Sequence, residues 1–347
     1  MNLIERLKIQ QEDLVEWWQN GILPRFLAGV MLVYLLASFV LAFSWSREPA
    51  LFDLVATLEQ YTSDSAQPVV TGTATTVSLI HVAETLLDKP GGFLSNDITL
   101  PGAVLDNIPS WEFGVLVQLR DLTRAMRESF SRSKSQSTED VDLAIAEPRF
   151  NFDNQSWILP RSEDEYRDGI RYVETYLNRL SQAEQSNAQF FSRADNLTMW
   201  LATVETRLGS LSQRLSASVG QRRLNIDLAG DAMARRSTVV SADQEIKTHW
   251  HQIDNVLYES RGTTWALIHF LTAIQYDFVD VLEKKNAHVS LQQIIRELEA
   301  TQQTIWSPVV LNGSGFGLFA NHSLVMASYI SRANAGIIDL RELLAKG

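Results

Sequence analysis

The chain has 347 residues, 45% of them hydrophobic, with 30 basic against 41 acidic side chains and a net charge of −11. Four basic and four acidic residues cancel up to Arg47, so the acidic excess falls on the residues after Arg47, a poor match for nucleic acid or an anionic lipid surface. The absence of cysteine excludes disulfides, thiolate metal sites and cysteine nucleophiles, and suits an oxidising compartment such as a bacterial periplasm.

Residues Leu3–Trp18 gather Leu3, Ile4, Leu7, Leu14, Val15 and Trp18 near one face of a helix, with Glu5, Glu12, Asp13 and Glu16 mostly opposite. Residues 1–25 are therefore read as a cytoplasmic amphipathic segment resting at the membrane interface, in preference to a partner-binding helix. Asn20-Gly21 breaks it, and Pro24 suits the first turn of the next helix. The twenty-one residues Phe26–Ser46 carry no charge. About 20 apolar residues in a helix cross a bilayer core of about 30 Å, and a helix satisfies its own backbone there. Residues 26–46 are thus the expected transmembrane helix and lipid contact, too long and too poorly placed for a cleaved signal peptide. Arg6, Lys8 and Arg25 precede it, whereas Arg47 alone lies close after it. That bias predicts a single-pass inner-membrane protein, N-terminus cytoplasmic and C-terminal domain periplasmic.

Beyond the span the pattern is helical with one irregular region. Residues 47–72 read as a linker with a short helix near Leu51–Leu58. Thr73–Leu87 places Val77, Ile80, Ala83 and Leu87 along an inward face widened by Leu79, Val82 and Leu86. Lys89–Gly114, with Pro90-Gly91-Gly92 and Pro101-Gly102 as turn signals, shows no helical period and is expected to be a long packed loop. A helix returns over Phe113–Phe130, then the serine-dense stretch Ser129–Ser137. Ala144–Leu159 is expected to be extended, tucking Phe150, Phe152 and Trp157 against a core between Pro148 and Pro160.

Ser162-Glu163-Asp164-Glu165 has the form of a capping box opening a helix that runs to about Ala188. Leu197, Leu201, Val204, Leu208, Leu211, Leu215 and Val219 step by threes and fours in a near-heptad seam. Most of that seam is expected to be intramolecular core. Ile246, Trp250, Ile253 and Leu257 repeat the spacing. Trp265–Leu282 and Val289–Ile305 supply two more helices, Leu324–Leu344 closes the chain, and the glycine-rich Gly313–Gly317 between them reads as a flexible turn. No run alternates as a sheet does. The fold class is mainly α: one N-terminal transmembrane helix, a helix and loop-rich subdomain over 73–160, and a helical bundle over 161–347.

Chemical signatures are sparse. No phosphate-binding P-loop, nucleophile elbow or HExxH is present. His81 and Glu84, with Asp88 continuing their stripe, have metal-compatible spacing but supply too few ligands, so no metal and no cofactor is expected. His249 and His251 point to different sides of a helix, and His269, His288 and His322 form no motif. The best site candidate is the loop Pro90–Gly114. There Asp97, Asp106 and Glu112 are the candidate catalytic groups, because neighbouring carboxylates divide acid and base roles when their environments differ. Ser95, Asn96, Asn107 and Trp111 are the candidate binding groups. Asp and Asn in turns also simply hold loops, which is the preferred reading.

The strings GGFLSND, LPG, DNIPSWEFGVLVQLRD, FSRSKSQS and AEPRFNFDNQSW resemble a family of uncharacterised, mainly proteobacterial, inner-membrane proteins, domain of unknown function 2333. The resemblance covers most of the chain. It implies a single-pass inner-membrane protein of a Gram-negative cell, and it carries neither an activity nor assigned residues. The expected function is a non-enzymatic scaffold or regulatory subunit of an inner-membrane complex, with a membrane or periplasmic protein partner or self-association and no nucleic acid. The alternative is a periplasmic hydrolase or ligand-binding protein using the Pro90–Gly114 loop. A helical spacer is a third, weaker reading.

Overall fold

Ile22–Trp45 forms one uninterrupted helix, α1, in the computed structural model, which describes residues 21–65, 67–133, 137–182, 187–224, 243–307 and 309–346. The expected amphipathic helix Leu3–Trp18 lies outside the described residues. Residues Leu23–Trp45 are long and apolar enough to cross a membrane, and side chains such as Phe39 and Phe43 are exposed. Among the described residues ten further α-helices succeed it. α2 is Leu54–Ser65, α3 Thr73–Asp88, α4 Asn107–Ala125, α5 Leu143–Phe150, α6 Ser162–Ser181 and α7 Ala194–Ser216. α8 is Ile253–Asp277, α9 Val279–Lys284, α10 His288–Ala300 and α11 His322–Ala345. A two-stranded antiparallel ribbon, β1 Gln221–Leu224 and β2 Asp243–Ile246, is the one sheet among the described residues.

The long helix α8 is the axis of the domain. It is apolar almost all round, with Leu257, Trp265, Ala266, Leu267, Phe270, Leu271 and Ile274 buried, the composition of a helix covered by neighbours on every side. α4 packs along it at unusually close range. A Cβ on Gly114 would fall 2.7 Å from the Thr263 amide and still closer to the Glu259 carbonyl, and one on Gly262 would collide with the Trp111 backbone. Two glycines thus allow the backbones to touch. α3 crosses the other end of α8, where Asp277 accepts from the Gly72 amide at 2.8 Å, the Thr75 amide at 2.7 Å and the Thr75 hydroxyl at 2.6 Å. The carboxylate satisfies the orphan amides that open α3.

On one side α5 and α6 pair, with Phe150 resting on Gly169. On the other, α7 lies against α11, joined by the Ser212–Ser331 hydroxyl pair at 2.6 Å and the Arg341–Glu205 ion pair. Leu201, Val204, Leu208 and Leu211 are buried there, so the near-heptad seam is intramolecular core. The principal core is contiguous from Leu79 to Leu344.

Several local expectations need correction. The irregular region ends at Asp106, because α4 begins at Asn107 with Pro109 in its first turn, where a missing N–H costs nothing. α5 occupies part of the segment expected to be extended. Pro148 sits inside it, while Leu143, Ala146 and Phe150 bury a helical face, leaving Phe152 half-buried and Trp157 half-exposed. The capping box does not form. Ser162 donates to the Asp153 carbonyl at 2.7 Å and the Ser156 carbonyl at 3.0 Å, and Glu165 pairs with Arg149. α6 stops at Ser181 rather than near Ala188. Ile246 belongs to β2 and Trp250 is exposed, so the helical run expected from Ile246 starts only at Ile253.

Candidate functional site at the end of the apolar helix

Residues 46–53 leave α1 and lie across α8 as a strap held by three kinds of contact. Glu48 forms a two-pronged ion pair with Arg261, with Nε to Oε1 at 2.7 Å and Nη2 to Oε2 at 2.5 Å. Arg261 is 6% exposed and spends its remaining donors on the carbonyls of Thr301 at 2.8 Å and Gln303 at 2.9 Å, just past the end of α10. Trp265 donates its indole N–H to the Ala50 carbonyl at 3.2 Å. Phe52 stacks on the His269 ring with centroids 3.6 Å apart and planes 7° apart, and meets the His81 ring edge-on at 4.4 Å. Asp53 then accepts from the Val55 amide at 2.9 Å as α2 begins.

Two clefts flank the strap and share Leu51. One, of about 640 Å³, is lined by Arg47, Glu48, Tyr258, Arg261, Gln302 and Thr304 among others. The other, of about 710 Å³, is lined by Phe52, His269, Tyr276, His288 and Glu299 among others. Burial, with His81 as a lesser neighbour, holds His269 far below the ordinary imidazole range, at about 3. Its Nε2 is buried and finds no hydrogen-bond partner among the described residues. The ring is thus neutral and serves as an aromatic plate under Phe52.

The loop expected to carry the site abuts the same junction. Gly91, at φ +92°, faces Trp45, and a Cβ there would lie 2.7 Å from the indole. At the loop's centre Lys89 and Glu112 form an ion pair with side-chain exposures of 1% and 0%. Glu112 also accepts from the amides of Leu94 and Ser95, each at 2.8 Å, and from the Ser95 hydroxyl at 2.5 Å. Lys89 donates to the Leu86 carbonyl at 3.3 Å and to that of Gly92. Glu112 is therefore the peg on which the loop is wound, with its acceptor capacity used.

The other candidates spread around this peg. Burial first, then Glu112 and Glu163, push the Asp97 carboxyl up, while Lys89 opposes them. Asp106 is exposed at the α4 N-terminus, where its carbonyl accepts from the Ser110 hydroxyl at 2.8 Å. Asn96 is buried and donates to the Ser156 carbonyl at 2.8 Å and to Glu163 at 2.7 Å, tying the loop to α6. Trp111 is buried against Trp265, 5.2 Å between centroids, and neither its indole nitrogen nor Asn107 Oδ1 has a partner among the described residues. The structure thus draws Ser95, Asp97 and Glu112 together and leaves Asp106 apart.

His81 Nδ1 lies 3.8 Å from Glu84 in a third cleft, of about 510 Å³, that also holds Glu174. Burial lowers His81; burial, then Glu174 and Asp88, raise Glu84 against the pull of Arg167. Among the described residues no group of three or more acidic or histidine side chains is placed to hold a metal ion.

Sequence reasoning did not single out Glu48, Phe52, Arg261 or Trp265. Arg261 lies inside the continuously buried run Ser260–Leu271, where a cation requires a buried partner.

Fold and junction together define a helical protein carrying one N-terminal apolar helix of membrane-crossing length, strapped to its domain by buried polar contacts. The chain belongs to a family described as uncharacterized protein conserved in bacteria (DUF2333), whose model matches residues 17–347. No curated protein and no solved structure matches the chain.

Proposed function

We propose that this is a membrane-anchored, non-enzymatic envelope protein that holds a rigid helical domain at a fixed position over the inner membrane, as a scaffold or regulatory subunit of a membrane complex. The Glu48–Arg261 clamp carries the reading. A domain on a loose tether needs no buried bidentate ion pair at the root of its anchor, and a cleaved leader needs no contact such as that of Trp45 on Gly91. The charge bias around α1 supports a cytoplasmic N-terminus and a periplasmic domain. The partner surface that fits best is the hairpin closed by the Asn312–Asn321 bridge, whose tip leaves Phe316, Leu318 and Phe319 exposed.

The test is purification of the full chain from native membranes in mild detergent, with mass spectrometry and light scattering. A stoichiometric membrane protein is expected, and a Phe316→Ser, Leu318→Ser double variant should lose it while retaining its helical circular dichroism. A lone monomer or homodimer overturns the scaffold reading. A second reading, a ligand-binding or hydrolytic site using Asp97, Asp106 and Glu112, draws on the raised Asp97 carboxyl beside Glu112. It has less behind it, because Glu112 is enclosed and fully hydrogen-bonded.

A further inference from the structure

The loop between Asp97 and Asp106 reads Ile98-Thr99-Leu100-Pro101-Gly102-Ala103-Val104-Leu105, with no charge. Ile98 is 60% and Val104 65% exposed, and Leu100 is exposed as well. The loop runs beside α1 rather than away from it. Trp45 rests on Gly91, and eleven residues back along the helix the Tyr34 hydroxyl donates to the Leu100 carbonyl at 3.3 Å. At about 1.5 Å per residue those two contacts are roughly 16 Å apart along the axis. That is about half of a 30 Å hydrocarbon core. Between them Ser38 is 8% exposed while the adjacent Phe39 is 76% exposed, so the loop lies along one side of the span.

Part of the loop's backbone is closed on itself, which lowers the cost of leaving water. The Thr99 carbonyl accepts from the Ala103 amide at 2.9 Å, that of Pro101 from Val104 at 3.1 Å and that of Gly102 from Leu105 at 3.0 Å. Tyr34 supplies the donor for the Leu100 carbonyl, and Pro101 brings no N–H of its own. A loop bathed in water has no need of an apolar tip such as Ile98, Leu100 and Val104. With no cation in the loop, the match is to acyl chains rather than to anionic headgroups.

We propose that Ile98–Leu105 enters the bilayer beside α1 as a second, non-spanning lipid contact. The proposal rests on the reading of α1 as a retained span. The loop then fixes the rotation of the span about its own axis, because only one face of α1 meets it.

The native chain has no cysteine, so single cysteines can be placed at Ile98, Val104, Phe39 and Met199, the last exposed on α7, and labelled with an environment-sensitive fluorophore. The full chain is reconstituted into phosphatidylcholine vesicles, with nitroxide-bearing acyl chains as the lipid quencher and iodide as the aqueous one. Labels at Ile98 and Val104 are expected to match that at Phe39, with strong nitroxide quenching and loss of iodide quenching, while Met199 behaves oppositely. Tyr34→Phe should restore part of the iodide quenching at Ile98. Iodide quenching at Ile98 and Val104 with Phe39 protected overturns the loop insertion and leaves the anchor standing. Iodide quenching at Phe39 itself overturns the anchor and the loop together. Shielding of Ile98 and Val104 from both quenchers overturns the proposal in favour of a second copy of the chain covering the loop.

Discussion

Glu48 and Arg261 are 213 residues apart in sequence and form a bidentate, largely buried ion pair that joins the end of the apolar helix α1 to the central helix of the domain. Arg261 also gathers carbonyls just beyond α10, so one guanidinium closes three segments. Removing one partner of such a pair leaves the other charge buried and unpaired, at a cost of about 3–5 kcal/mol. Glu48→Gln is expected to lower the denaturation midpoint accordingly. It should also make residues 47–53 sensitive to limited proteolysis at denaturant concentrations where the native chain resists.

Lys89 and Glu112 form the second buried pair, and the two substitutions are not equivalent. Glu112→Leu strips the amides of Leu94 and Ser95 of their acceptor as well as stranding the ammonium. Lys89→Met strands a carboxylate that keeps three other donors. Glu112→Leu is therefore expected to destabilise more, by about 1–3 kcal/mol for the orphaned amides. Chemical denaturation of the pair of variants checks the order.

His269 gives a pH signature with a defined sign. Its native value of about 3 lies below the ordinary 6.5. Below pH 6.5 the unfolded chain takes up a proton that the folded chain refuses. The stability contributed by the neutral ring is thus present above that pH and is lost as pH falls towards the native value. The slope from this group reaches at most about 1.4 kcal/mol per pH unit. His269→Phe, which keeps the stack on Phe52, should flatten the acid limb of stability measured by denaturation between pH 6.5 and 4, leaving a smaller contribution from His81.

Gly114 and Gly262 set the spacing of α4 and α8. Alanine at either position forces the helices apart against backbone atoms, which cannot yield as a flexible side chain does. Overpacking of this kind costs about 1–3 kcal/mol, and occasionally more. The Gly114→Ala, Gly262→Ala double variant should lose less than the sum, since one separation relieves both, and a double-mutant cycle reads the difference.

Periodicity exposed most of the fold. Val77 to Leu87 and Leu197 to Leu215 each announced a buried helical face, and each is one. The failures have local causes. Ser162 found two carbonyls in the preceding turn, so its hydroxyl turned outward from its own helix and the capping box was lost. Ile246 and Trp250 shared a helical spacing by coincidence, and strand pairing with Gln221 took the first of them. The irregular stretch after Lys89 was recognisable from its prolines and glycines, though it is helical from Asn107 and exposed rather than packed at Ile98, Leu100 and Val104. The central part of Glu112 was not recognisable, because Lys89 is its partner only once the loop has folded back. The junction was least legible of all, since pairs such as Glu48–Arg261 and Phe52–His269 join residues more than two hundred positions apart, and no periodicity reports on contacts at that separation.

The stack of Phe52 on His269 has a mechanical consequence. Together with the indole of Trp265 it braces the end of α1 against α8 like a gusset. With α1 as the proposed span, a tilt forced on it by a change in bilayer thickness or by a neighbour would pass as torque to α8 and through it to the helices that touch α8. On the proposed reading the molecule would act as a lever, through which a partner resting on the far helices would sense the inclination of the anchor without touching the membrane.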